Sequence, residues 1–91
     1  MNIILKKAID TYGEDMQLNV AIEELSELTK EICKHKRGKE NTEAIIEEMA
    51  DCYIMLEQMK MIFGIGSTVI SDEISRKINR LEHRLNAKQK E

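Results

Sequence analysis

The run AIIEEMADCYIMLEQMKMIF, residues 44–63, constrains the fold of this chain more than any other stretch. It lacks Gly and Pro and is apolar around most of its circumference, which predicts a helix enclosed by other helices. One arc of that helix carries Glu48, Asp51, Cys52, Met55, Met59 and Ile62, so two acids share a face with core-like side chains. Glu48 and Asp51 lie about 60° apart on adjacent turns. Stripping water from a carboxylate is costly unless a cation or hydrogen-bond donors meet it. Two acids side by side in an apolar arc therefore point to a bound cation.

The remaining sequence reads as helix too. There is no Pro, and four Gly, two Tyr and one Phe are the only Gly and aromatic residues among 91. One all-α domain covering residues 1–91 is expected, four-helix bundle-like, with helices at about 2–12, 16–36, 42–63 and 68–86. The first puts Ile4, Leu5, Ala8, Ile9 and Tyr12 on one side, and Gly13 is placed to end it. Asp15 is the expected cap of the second, whose apolar stripe is Leu18, Ala21, Ile22, Leu25, Leu28, Ile32 and Cys33. Lys34, His35, Lys36 and Arg37 suit the negative end of that helix dipole, and Gly38 stops it. Asn41 or Thr42 is the expected cap of the third helix, and Ser67 or Ser71 that of the fourth. The fourth carries a near-heptad seam of Ile70, Ile74, Ile78, Leu81 and Leu85, and the tail from Ala87 to Glu91 is expected to fray. Tyr12, Tyr53, Phe63 and the methionines of the third helix are expected in the core.

Several function classes are disfavoured. A formal net charge of -3 without a basic arm argues against nucleic acid as the main partner. No apolar run approaches the ~20 residues of a membrane span, and MNIILKKAID is charged too early for a signal peptide. Cys33 and Cys52 form no CxxC pair, and His35 and His83 lack zinc-ligand spacing. Free thiols in a cytoplasmic protein are expected.

The second helix carries another acid cluster, Glu23, Glu24 and Glu27, in the run IEELSEL. Glu24 and Glu27 repeat the i, i+3 spacing of Glu48 and Asp51, and antiparallel packing would bring the two pairs face to face. Four carboxylates without nitrogen or sulfur make a hard oxygen site that favours Mg²⁺ or Mn²⁺ over zinc. Such a site supports displacement at phosphorus. Against it, Glu27 falls nearly opposite the apolar stripe of its helix, where a solvated residue would sit. Lys77, Arg80 and Arg84 follow i, i+3, i+7 spacing beside the seam of the fourth helix and suit phosphate, unless they merely pair with Glu73. Lys30, Lys34, Lys36, Arg37 and Lys39 are further basic candidates.

EELSE at 23–27, twenty intervening residues and EMAD at 48–51 resemble the EExxE…ExxD signature of the MazG-like nucleoside triphosphate pyrophosphohydrolases, an all-α family. VAIEELSELTKEICK and IIEEMADCYIMLEQM are similar to its two central helices, so the resemblance covers about residues 15–64 well. It implies Mg²⁺-dependent conversion of a nucleoside or deoxynucleoside triphosphate to the monophosphate and pyrophosphate. It also implies metal ligation by Glu24, Glu27, Glu48 and Asp51, with Glu23 and Glu47 as the leading acids that orient water or support the ligands. House-cleaning of nucleotide pools is the role it suggests. Small size and heptad-like apolar seams on several helices point to a homo-oligomer, a dimer or a tetramer. Two alternatives are a phosphoribosyl-ATP pyrophosphatase using the same acids and a non-catalytic helical module whose acids meet solvent or a basic partner.

Overall fold

The computed structural model describes residues 2–89. It consists of four helices, α1 (Asn2–Tyr12), α2 (Glu14–Lys36), α3 (Thr42–Ile62) and α4 (Val69–Gln89), with no strand among the described residues. The chain is all-α and bundle-like. Cys52 of α3 meets Glu24 of α2 while Asn41, at the start of α3, meets Glu31, so α2 and α3 form an antiparallel hairpin. α1 packs against both of them.

Glycine sets the turn geometry at the first two connections. Gly13 adopts φ 93°, a left-handed value that a side chain would strain, and its N–H donates to the Ile9 carbonyl at 2.8 Å. α2 begins directly after it, at Glu14, so Asp15 lies inside the first turn and is not the cap expected from the sequence. Gly38, with φ 97°, closes the other end of α2 through its N–H to the His35 carbonyl.

The start of α3 departs from expectation in an instructive way. Asn41 occupies the cap position, yet its side chain makes no capping bond. Its Nδ2 reaches back across the turn and donates to the carbonyl oxygen of Glu31 at 2.9 Å and to Glu31 Oε1 at 3.0 Å. Lys34 Nζ donates to the other oxygen of that carboxylate at 3.0 Å. Asn41 first and Lys34 second hold the Glu31 carboxyl below its usual range. The backbone N–H and hydroxyl of Thr42 donate instead to Glu40, which does the capping from one residue earlier. Asn41→Ala removes two buried hydrogen bonds and is expected to lower the unfolding free energy by about 1–2 kcal/mol. The check is a lower urea midpoint at unchanged m value.

Neither Ser67 nor Ser71 caps α4. The Thr68 carbonyl accepts the N–H of Asp72 and also the Ser71 hydroxyl, so Thr68 is the residue at the helix entrance. Residues Ala87 to Gln89 continue the helix where fraying was expected, while Lys90 and Glu91 lie outside the described residues.

The core sits where α1, α2 and α3 meet and contains Leu5, Ile9, Ala21, Cys52 and Met55. Gln58 is only 2% exposed and donates through Nε2 to the Leu5 carbonyl at 3.3 Å, tying α1 to α3. Other apolar residues expected inside are outside. Ile4, Tyr12, Ile22, Leu25, Ile32, Tyr53 and Phe63 are exposed, so no aromatic residue belongs to the core. The inward face of α2 is Gln17, Ala21, Glu24, Leu28 and Glu31, one step around the helix from the stripe read in the sequence.

α4 packs against none of the other three helices, and no residue in it is buried. The radius of gyration is 16.9 Å, against about 12 Å for a compact chain of this length. The molecule is thus a three-helix body with a fourth helix standing away from it.

Candidate metal centre

The inward face of α2 brings Glu24 to the helix junction. Counting back from the α2–α3 turn, antiparallel packing places it opposite the turn of α3 that carries Glu48 and Asp51. One carboxylate oxygen from each of Glu24, Glu48 and Asp51 lies within 4.8 Å of the others. All three residues are half-buried. The backbone is pinned at this point by Cys52, whose Sγ donates to the Glu24 carbonyl at 3.5 Å. In the sequence, the one signal that ties Cys52 to the site is its position four residues after Glu48.

Mutual repulsion and partial burial leave their mark on the acids. The Glu24 carboxyl is pushed up to about 7, chiefly by its hydrogen bond with Asp51, then by burial and by the charges of Asp51, Glu48 and Glu27. Near neutrality the Glu24 carboxyl therefore still holds its proton in part. Burial, followed by the charges of Asp51, Glu27, Glu31 and Glu47, raises Glu48 as well. Its Oε2 is buried without any hydrogen-bond partner. Burial first, and then the same three acids, raise the Cys52 thiol, which favours the neutral form. The nearby cations are engaged elsewhere: Lys30 faces Glu27 at 4.0 Å and Lys34 is bonded to Glu31.

These shifts fix a sign for stability against pH. A carboxyl whose folded value lies above its unfolded value binds its proton more tightly in the folded protein. The resulting stabilisation is fully present below about 4.5 and is lost as pH rises through about 7 for Glu24. The ion-free protein is therefore expected to melt higher at pH 5 than at pH 8, with Glu48 contributing in the same direction. Thermal melts across that range check it, and a melting temperature that climbs with pH would contradict the geometry.

The other sequence candidates lie apart from this group. Glu27, half-exposed at the side of α2, does not join the three clustered oxygens, though its charge reaches Glu24 and Glu48. Glu23 and Glu47 are exposed on the outer sides of their helices. Lys77, Arg80 and Arg84 are exposed on α4, away from the acids, and Glu73 pairs with Arg76 rather than with any of them. Cys33 and Cys52 are both free.

Beside the acids runs a groove of about 280 Å³ lined by Leu25, Leu28, Met49, Cys52, Tyr53 and Leu56. Cys52 both lines the groove and contacts the backbone of Glu24. Among the described residues, no helix is long and apolar enough to cross a membrane. Comparison of the chain with protein-family models, curated proteins and solved structures gave no match.

Proposed function

We propose that the chain is a Mg²⁺-dependent nucleotide pyrophosphohydrolase that converts a nucleoside or deoxynucleoside triphosphate to the monophosphate and pyrophosphate. The observation that carries this reading is the meeting of Glu24, Glu48 and Asp51 within 4.8 Å at the α2–α3 junction. The oxygen-only donor set suits a hard divalent cation, and the orphaned Glu48 Oε2 is an acceptor with nothing to accept from. Both features agree with the resemblance of EELSE and EMAD to the MazG-like signature.

Glu24, Glu48 and Asp51 would hold the cation, with Glu27 completing the set from the next turn of α2. Mg²⁺ bound there would neutralise charge developing on the phosphoanhydride oxygens and favour attack at phosphorus. The proton on Glu24 must leave when a cation binds, so cation affinity rises with pH through about 7. Glu23 and Glu47, the leading acids of the two motif halves, are assigned to orienting the attacking water or supporting the ligands that follow them in sequence. The Cys52 contact to the Glu24 carbonyl keeps the two acidic turns in register. Lys77, Arg80, Arg84 and Lys30 are the proposed phosphate partners.

The test is a Mg²⁺-dependent assay over common and modified nucleoside triphosphates and phosphoribosyl-ATP, scoring pyrophosphate against orthophosphate. Pyrophosphate with the monophosphate is the expected product. Orthophosphate as first product, or no turnover with any of these, would overturn the assignment.

A further inference from the structure

Two apolar surfaces of this chain have no partner within it. The first is the outer face of the α2–α3 hairpin, where Ile46, Met49, Tyr53, Leu56 and Phe63 form a stripe along α3 at i, i+3, i+7, i+10 and i+17. Leu25 flanks that stripe across the groove of about 280 Å³. The second is the seam of α4, with Ile70, Ile74, Ile78, Leu81 and Leu85 all exposed. Lys77, Arg80 and Arg84 line the same surface of α4 as Ile74, Ile78 and Leu81. Exposed apolar stripes of this length on two elements mark an interaction surface.

We infer that α4 of a second copy of this chain seats in the α2–α3 groove, reciprocally, so that each copy covers the other's apolar face and brings its basic flank toward the other's acids. Charge decides between the pairings. α2 and α3 together carry eleven Asp and Glu against four Lys, whereas α4 carries three acids against five Lys and Arg. Hairpin on hairpin would press two acidic surfaces together, and α4 on α4 would leave the groove bare. α4 on the hairpin buries both apolar faces and opposes unlike charges. The dimensions agree, since 21 residues of α4 span about 31 Å and lie against 21 residues of α3. Within one chain α4 stands away from the hairpin, so the basic flank reaches the acids only from the partner. The assembly stands whether or not the chain hydrolyses nucleotides; only a phosphate-binding role for the flank rests on that reading.

Cross-linking of the full-length chain in a Cys33→Ser, Cys52→Ala background tests the pairing without any activity measurement. One preparation carries Tyr53→Cys and a second, distinguishable in mass, carries Ile78→Cys; both positions are exposed, and circular dichroism checks that each variant stays helical. The two are mixed and treated with a short bismaleimide. The expected result is a mixed product several-fold above the proportion that random encounter would give. Mixed product at or below the random proportion would overturn the inference, whether like-with-like products dominate, α4 closes on its own chain, or the protein stays monomeric.

Discussion

Glu48→Gln is expected to abolish pyrophosphate release while leaving the helical fold intact. Removing a group that stabilises transition-state charge costs on the order of 10²–10³ in rate, and loss of a proposed cation ligand belongs at the upper end of that range. The substitution is nearly isosteric, and the half-buried position of the side chain gives no reason for collapse. In the ion-free protein it should even stabilise, because burial and then the charges of Asp51 and Glu27 disfavour the Glu48 carboxylate, and its Oε2 has no donor. Circular dichroism and thermal melts without added metal separate the two effects. Full activity in Glu48→Gln would remove Glu48 from the site. A helical protein with a higher melting temperature and no turnover is the expected outcome.

Met55→Ala should produce the largest change in stability. Met55 is 5% exposed and sits in a core with only four other buried apolar residues among the described ones, Leu5, Ile9, Ala21 and Cys52. Truncating a buried Met to Ala costs about 2–5 kcal/mol through lost burial and the cavity left behind. For a domain of this size each kcal/mol moves the midpoint by about 4–8 °C, so a fall of at least about 8 °C is expected. Ile3→Ala, at an 83% exposed position of α1, is the matched control and should stay within about ±0.5 kcal/mol. Equal effects of the two substitutions would mean that the core lies elsewhere.

The four helices were legible because their signals are local. Helical spacing, the absence of Pro and the glycines at 13 and 38 act within a few residues of one another. Which face of a helix points inward is not local, and α2 shows the consequence. Its most apolar stripe includes Ile22, Leu25 and Ile32, yet these are exposed, while Gln17, Glu24 and Glu31 face the hairpin. An apolar stripe records burial somewhere, in the same chain or against another molecule, and periodicity does not say which. Taken as intrachain core, that stripe puts Glu27 nearly opposite it on the helical wheel and leaves the acids of α2 resting more on the family resemblance than Glu48 and Asp51 do. In the structure Glu24 stands beside them, and its carboxyl is pushed up to about 7.

The same reasoning explains the minor departures. Asn41 has the residue type of a cap, but a partner ten residues earlier in sequence, Glu31, claims its amide. Cap preferences count only the neighbours along the chain. Aromatic residues are expected in the core by type, and Tyr12, Tyr53 and Phe63 are instead on the surface. Tyr53 and Phe63 belong to the α3 stripe that we assign to a partner's α4.

Glu24, Glu48 and Asp51 are proposed to hold a divalent cation. Titration of the protein with Mn²⁺ at pH 8, followed by the loss of the free-ion electron paramagnetic resonance signal, tests it most directly. The expected result is saturable binding that Mg²⁺ displaces, that weakens toward pH 6 as Glu24 takes up its proton, and that is lost in Glu48→Gln. Binding that is absent, or that is unchanged in Glu48→Gln, would contradict it.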